Sequence, residues 1–303
     1  MDYTFTEPPT YKVASQYPKW CKAMDAEFQA LQRQQTWSLV PVPPNVHLVG
    51  CKWVYKLKLN SDGSISRYKA RLVAKGFHQQ SRINFHETFS PVIKHATVRL
   101  IIAIAISYNW SLRQLDVSNA FLHGYLKEDV HMQQPPIYVD SLHLSYVCKL
   151  YKSLYGLKQA PRAWFKRFTF HLLHVGFTAS LADSFLFIFK SSSTIIYLFF
   201  YVDDIIVTSN SASQVDDHIT ALSQVFKLKD LGPLSYFLEI QISHTKYGIS
   251  LTQSKYAFDV LHWFNMENSK IVKTPSCSSS RLVPHSGILL SDPTVYRSMV
   301  GAL

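Results

Sequence analysis

A chain of 303 residues that is 47% hydrophobic and 17% charged has ample apolar material for a packed core, with room for more than one subdomain. Its 31 Lys and Arg against 20 Asp and Glu give a net charge of +11, which favours polyanionic partners, nucleic acid first and anionic membrane second. No apolar run approaches the ~18 residues of a membrane span, the N-terminus lacks a signal-peptide pattern, and Cys21, Cys51, Cys148 and Cys277 are too scattered for a zinc ribbon or a disulfide framework. A reduced, intracellular chain with no membrane partner is the expectation. The basic excess sits at the front: +8 over residues 1–100, +4 over 101–200 and −1 over 201–303.

In chain order, Pro18 opens a helix on which Trp20, Met24, Phe28 and Leu31 recur along one face. Trp37 to Pro44 is extended. From Lys52 to Arg82 the cations Lys52, Lys56, Lys58, Arg67, Lys69, Arg71, Lys75 and Arg82 oppose Asp62 alone. Asp62-Gly63 is a hairpin signal between KWVYKLKL and ISRYKARLVAK, and their alternation sets a row of positive charge on one strand face. That face is either a merely soluble surface or a clamp over a phosphate-bearing ligand. Thr97 could cap a helix through VRLIIAIAISYNW, apolar nearly all round and therefore core. Leu112 to Val117 is a strand with a lone acid, Asp116; SNAFLHGYLKEDV reads as a turn, HMQQPP as a short strand, and Val147–Tyr151 as another. The loop Tyr155–Pro161 leads into a helix with Trp164, Phe168 and Leu172 on one side and Gly176 at its stop. After a strand at Ser184–Phe189 and an acidic hairpin, Ser213 caps a helix with Val215, Ile219, Leu222 and Phe226 inward. Leu234–Ile242 and Ile249–Thr252 read as a last hairpin. A helix near Ser254–Met266 and a Ser-rich linker at Ser276–Ser280 follow, and the chain ends in a helical pattern, as a piece of something longer would.

The acidic hairpin is Ile195–Ser209, where IIYLFFYV runs into Asp203-Asp204 and Ile205, Ile206 and Val207 resume the apolar run. Two ionised carboxylates ~4 Å apart repel by about 1 kcal/mol in water and about 4 kcal/mol near a protein surface. A divalent cation with a taste for hard oxygen ligands, Mg²⁺ or Mn²⁺, is the natural compensation, against the plain alternative of a solvated turn. From Asp116 onward the order strand, helix, strand-strand, helix, strand suggests a split βαββαβ sheet. Such a sheet would set Asp116 beside Asp203 and Asp204, enough carboxylate for two Mg²⁺ ions ~3.5–4 Å apart.

Six blocks then stand in a telling order: RYKARLVAKGF (67–77), ETFSPV (87–92), QLDVSNAFLHG (114–124), SLYGLKQAPRAW (153–164), YVDD (201–204) and KDLGPLSYFL (229–238). With them the chain resembles the reverse transcriptase of copia-type LTR retrotransposons, part of their Pol polyprotein, from about Tyr11 to Leu303. The resemblance implies an α+β right-hand polymerase: an N-terminal segment with its amphipathic helix (1–44), fingers (45–110), palm (111–245) and the start of a thumb or connection (246–303). It implies Asp116, Asp203 and Asp204 as ligands of two Mg²⁺ ions, with Mn²⁺ an alternative, and Lys229 as the proton donor to leaving pyrophosphate. Lys69, Arg71 and Lys75 become candidates for the triphosphate grip, Phe121 for a ring that excludes the ribose 2′-hydroxyl, and Gly156 and Gln159 for the loop behind the nucleotide. Lys158 and Arg162 would meet template phosphate, and Leu231-Gly232 the primer end. The implied partners are an RNA template, a DNA or tRNA primer and deoxynucleoside triphosphates. A full-length parent would add ribonuclease H and integrase domains, and work in a cytoplasmic virus-like particle or the nucleus.

The chain departs from the family pattern at Asn84, Ile137, Ser209 and Glu239. The last stands where glycine is usual, within an expected apolar strand, so that strain and desolvation both fall on a charged side chain. The alternative to an active polymerase is therefore a degenerate, catalytically silent fragment that at most binds nucleic acid. A two-metal nuclease or integrase would share the carboxylates but has no need of the basic hairpin or the LYGLKQAP loop.

Overall fold

In the computed structural model of the chain, the described residues are 2–60, 64–80, 84–85, 92–245, 248–272 and 290–302. The Asp62-Gly63 turn, most of the ETFSPV block and the Ser-rich stretch lie outside them. Two units divide the chain, Met1–Pro233 and Leu234–Leu303.

In the first unit, the Thr10 hydroxyl accepts from the Val13 N–H and starts the one-turn helix α1 (Tyr11–Ala14). Pro18 stands at the first position of α2 (Pro18–Arg33), where its missing N–H goes unmissed. Trp20, Met24 and Leu31 are buried on the expected face, while Phe28 is half-buried and stacks on Tyr138. β1 (Trp37–Pro41) and β2 (Leu48–Val49) precede the basic hairpin of β3 (Cys51–Leu59) and β4 (Ile65–Ala74). Its register places Lys56 opposite Lys69, Lys58 opposite Arg67 and Val54 opposite Arg71. Directly opposed residues share a face, so the cations line one side while Trp53, Tyr55, Ala70 and Leu72 are buried on the other. Trp20 meets Tyr55 and Tyr68 edge-on and docks α2 on that apolar side.

α3 (His95–Ser107) differs from the sequence expectation in two ways. Lys94, not Thr97, holds the cap position, and the Thr97 hydroxyl instead donates to Asp183 at 2.6 Å. Nor is the helix wholly core: Val98, Ile101, Ile102 and Ala105 are buried, but Leu100 and Ile106 face solvent. β5 (Leu112–Val117) is followed by a 3-10 turn at Ala120–His123 and then by β6 (Tyr125–Met132). The second part of the expected turn, from Tyr125 to Val130, is instead strand and runs on into the expected short strand at His131-Met132, with Lys127 and Asp129 turned outward. β7 (Tyr146–Lys152) joins β6, β1 and β2 in a four-stranded sheet.

α4 (Ala160–His174) buries Trp164, Phe168 and Leu172, and Gly176 just beyond it adopts φ 93°. β8 (Thr178–Ala179), β9 (Leu186–Lys190), β10 (Ile195–Tyr201), β11 (Asp204–Ser209), α5 (Ala212–Val225) and β12 (Leu228–Pro233) complete the unit. Ser211, rather than Ser213, occupies the cap of α5. The second sheet runs β12-β5-β11-β10-β9-β8. Within it β5, α4, β10-β11, α5 and β12 form a split βαββαβ unit whose first and third strands lie side by side.

The second unit holds β13 (Tyr236–Phe237), β14 (Ile240–Thr245), β15 (Gly248–Thr252), α6 (Ser254–Trp263) and α7 (Thr294–Ala302). The single strand expected at Leu234–Ile242 is broken, because Leu238 and Glu239 form a two-residue turn between the paired Phe237 and Ile240.

Candidate active site

β10 and β11 pair Tyr201 with Asp204, which leaves Val202 and Asp203 as the hairpin tip. Val202 has φ 58°, a left-handed conformation that costs a β-branched residue about 1–2 kcal/mol. A clasp holds it there. Trp164, fully buried in α4, donates its indole Nε1–H to the Val202 carbonyl at 2.6 Å. The other side of the tip is tied to β5, where the Val117 N–H donates to the Asp203 carbonyl at 2.8 Å.

Across the β11–β5 ladder Asp204 stands opposite Asp116, and across β5–β12 Asp116 stands opposite Lys229. Opposed residues project from the same face, so the Asp116 and Asp204 carboxylates share one face with Lys229 beside them. Gln114, two residues along the same face, donates to Asp204 Oδ1 at 3.3 Å. Burial pushes Asp203 above the ordinary aspartate range and the Asp116 charge adds to this, while Arg71 and Lys69 pull it down. Burial also pushes Asp204 up, reinforced by Asp203 and Asp116 and opposed by the Gln114 hydrogen bond. The donors are oxygens alone and repel one another, which is the chemistry a hard divalent cation relieves. Among the described residues, however, no three His, Cys, Asp or Glu side chains close into a group that could hold a metal ion.

Of the triphosphate candidates, Lys69 and Arg71 share the cationic face of β4 and lie within electrostatic reach of Asp203. Lys69 is held below its usual pKa by burial and by Arg71, Arg67 and Lys58. Lys75 bears instead on Cys51, at the base of the hairpin. The Arg71 guanidinium lies 4.6 Å over the Tyr155 ring, and Tyr155 meets Phe121 edge-on at 5.4 Å. Burial pushes the Tyr155 hydroxyl up to about 12, opposed by Arg71 and reinforced by Asp203, Glu27 and Asp116. Tyr155 thus joins the basic hairpin to the aspartates. Sequence reasoning gave Tyr155 no role and placed Trp164 only on the inward side of its helix, although both stand in the SLYGLKQAPRAW block.

The loop residues Gly156 and Gln159 are both engaged with the protein itself. Gly156 (φ 87°) is required by close approach, but to protein: a Cβ there would sit 2.1 Å from the Ala74 carbonyl oxygen. Both ends of the Gln159 amide are taken. Its oxygen accepts from Gln79 at 2.9 Å, and its nitrogen donates to the Asn84 carbonyl at 2.9 Å. The amide therefore ties α4 to the segment after β4, with one N–H and one oxygen lone pair beyond these two bonds. Lys158 Nζ lies 4.5 Å over the Phe85 ring, and Arg162 is half-buried on the first turn of α4. Leu231 is exposed, and Gly232 (φ 80°) follows a bulge in β12.

The departures also resolve. Asn84 is buried and structural, its side-chain oxygen accepting from the Gln80 N–H. Ser209 is buried and accepts from the Ser211 N–H. Ile137 has φ 78°, where a glycine would be unstrained. Glu239 has φ 63° but lies at an exposed turn, so the expected desolvation does not arise and only the strain stands.

A family model described as Reverse transcriptase (RNA-dependent DNA polymerase) matches residues 34–278, and the chain belongs to that family. Within it, the chain falls among copia-type Pol polyproteins. It is 46% identical over 299 residues to the Retrovirus-related Pol polyprotein from transposon RE2 of Arabidopsis thaliana, covering 98% of this chain and 20% of that protein. The transposon RE1 polyprotein of the same plant matches at the same identity and coverage. The transposon TNT 1-94 polyprotein of Nicotiana tabacum is 38% identical over 311 residues, 98% of this chain and 23% of that one. The chain thus spans about a fifth of the length of these relatives. Among the described residues, no helix is long and apolar enough to cross a membrane.

Proposed function

We propose that the chain is the polymerising domain of a copia-type Pol polyprotein, extending a primer on an RNA template by nucleotidyl transfer from deoxynucleoside triphosphates. The observation that carries this reading is the register that sets Asp204 opposite Asp116, with Asp203 at a clasped tip and Arg71 and Lys69 within its field. Asp116, Asp203 and Asp204 would hold Mg²⁺, or Mn²⁺ in its place. When bound, such ions lower the pKa of the primer 3′-hydroxyl and neutralise charge on the departing pyrophosphate. Arg71 and Lys69 grip the triphosphate from the hairpin face. Phe121, braced by Tyr155, presents a ring to the sugar and excludes a 2′-hydroxyl by volume. Lys229, on the same face as Asp116, delivers a proton to the pyrophosphate. Lys158 and Arg162 meet the template backbone, and Leu231-Gly232 the primer end.

The test is extension of a DNA primer on an RNA template with Mg²⁺ by the purified chain, and its abolition by Asp203→Asn. Template binding without extension would place the chain with the silent fragments.

A further inference from the structure

A second cationic surface lies away from the aspartates. α4 turns Trp164 and Phe168 toward the sheet face that carries Phe200. Phe200 pairs with Ile205, so that face is the reverse of the one bearing Asp204. Between the outer side of α4 and β6 runs a groove of about 390 Å³, lined by Tyr125, Lys127, Arg162, Lys166, Arg167 and Phe170. Among the described residues, Glu128 is the one acid on its wall. The Arg167 guanidinium lies 5.3 Å over the Tyr125 ring and Lys152 Nζ lies 5.7 Å from it, so cations and an aromatic plane are already interleaved. Phe170 is 68% exposed, a large apolar residue to leave in water beside four positive charges. Further along β6 and β7 the cationic character fades, because Lys149 pairs with Asp129 at 3.0 Å.

We propose that this groove is an accessory site for single-stranded nucleic acid on the outer side of α4, sharing Arg162 with the proposed template contact and otherwise set apart from the aspartate face. Positive side chains that track a phosphate backbone, with an exposed ring for a base to stack on, make the surface that single strands take. An acidic peptide would match the charge, but its carboxylates give the Phe170 ring no stacking partner, whereas every nucleotide of a single strand brings a base. Nothing in the proposal requires the chain to polymerise.

Anisotropy of a fluorescent twelve-nucleotide oligo-uridine, read without divalent metal over a salt series, tests it. The double variant Lys166→Glu with Arg167→Glu should bind at least about tenfold more weakly, and the slope of log affinity against log salt should fall by about two. Phe170→Ala should weaken binding about tenfold at unchanged slope, since stacking rather than charge is removed. Photocrosslinking of 4-thiouridine RNA to the unsubstituted chain should label the groove residues, a readout that survives if a variant folds poorly. Oligo-uridine binding unchanged in both variants, or crosslinks confined to the aspartate face, would overturn the proposal. So would loss of poly-glutamate binding alone, which would make the groove a peptide site. Because every arm reads binding without metal, an inactive polymerase leaves the result intact.

Discussion

Two hairpin turns in this chain bend through residues at positive φ, and they behave as opposites. The turn between β10 and β11 holds Val202 at φ 58° with buried strands behind it and the Trp164 indole bonded to its carbonyl. The turn between β13 and β14 holds Leu238 and Glu239 at 48° and 63°, and Glu239 is exposed. Local strain is similar in kind, but only the first turn is over-determined by contacts from a distant element. Strain that the surroundings enforce is characteristic of sites where geometry matters to chemistry. Strain at a free surface turn is only a local loss that glycine would remove.

The sharpest break of the comparison comes at the acidic tip. Asp203→Asn should abolish primer extension by about a hundredfold or more, several kcal/mol of transition-state stabilisation. The same change should stabilise the metal-free fold at neutral pH. A carboxyl whose pKa is raised on folding binds more protons in the native chain than in the unfolded one, so stability falls as pH climbs from the ordinary aspartate value of 3.8 through the raised one. Asparagine removes that loss, and urea unfolding at pH 7 should show a higher midpoint. Activity lost together with stability gained marks a functional carboxylate; loss of both would reduce Asp203 to a structural residue.

Next in size is Phe121→Val, which shortens the ring that meets Tyr155. Discrimination against ribonucleotides should fall by about tenfold or more, as loss of a steric contact of this size allows. Competition between the two triphosphates in single-nucleotide extension measures it, and an unchanged ratio would remove Phe121 from the sugar pocket.

Trp164→Phe keeps a ring in the aromatic cluster of Phe168 and Phe226 but deletes the indole donor. The half-buried Val202 carbonyl is left without its clasp, a loss of about 1 kcal/mol. If the clasp positions the aspartates, kcat should fall about tenfold with KM for the nucleotide unchanged, and added Mn²⁺ should restore part of the rate. If kcat holds while the unfolding midpoint drops, the clasp serves stability alone and the two turns do not differ in function.

Much of this could be read from residue order alone, for definite reasons. The cationic face of β3–β4 follows from alternation, since Lys69 and Arg71 lie two apart and must share a side. The acidic hairpin follows from two β-branched runs around one polar pair, and the sheet order from the succession of strands and helices. What escaped depended on partners far along the chain. Nothing local to Gln159 says that Gln79 and Asn84 will take both ends of its amide. Nothing near Tyr155 says that Arg71 will stack on it. The first part of β6 was hidden because its outward Lys127 and Asp129 are charged, and the break at Leu238-Glu239 because LEIQI alternates apolar and polar residues as a continuous strand would.

That break yields the smallest effect. Glu239→Gly relieves a left-handed non-glycine residue at a turn that also carries Leu238 at positive φ, and glycine adopts such angles without steric penalty. A gain of about 1 kcal/mol is expected, reduced somewhat by the extra freedom glycine gives the unfolded chain. Urea unfolding should record it as a higher midpoint at unchanged slope. Primer extension per folded molecule should stay the same, because the exposed Glu239 side chain desolvates no charge. Extension that appears only after this substitution would give the second turn a catalytic consequence and make the native residue the lesion of a silenced copy. A gain in stability with no gain in rate leaves the clasped turn at Val202 as the one whose strain serves chemistry.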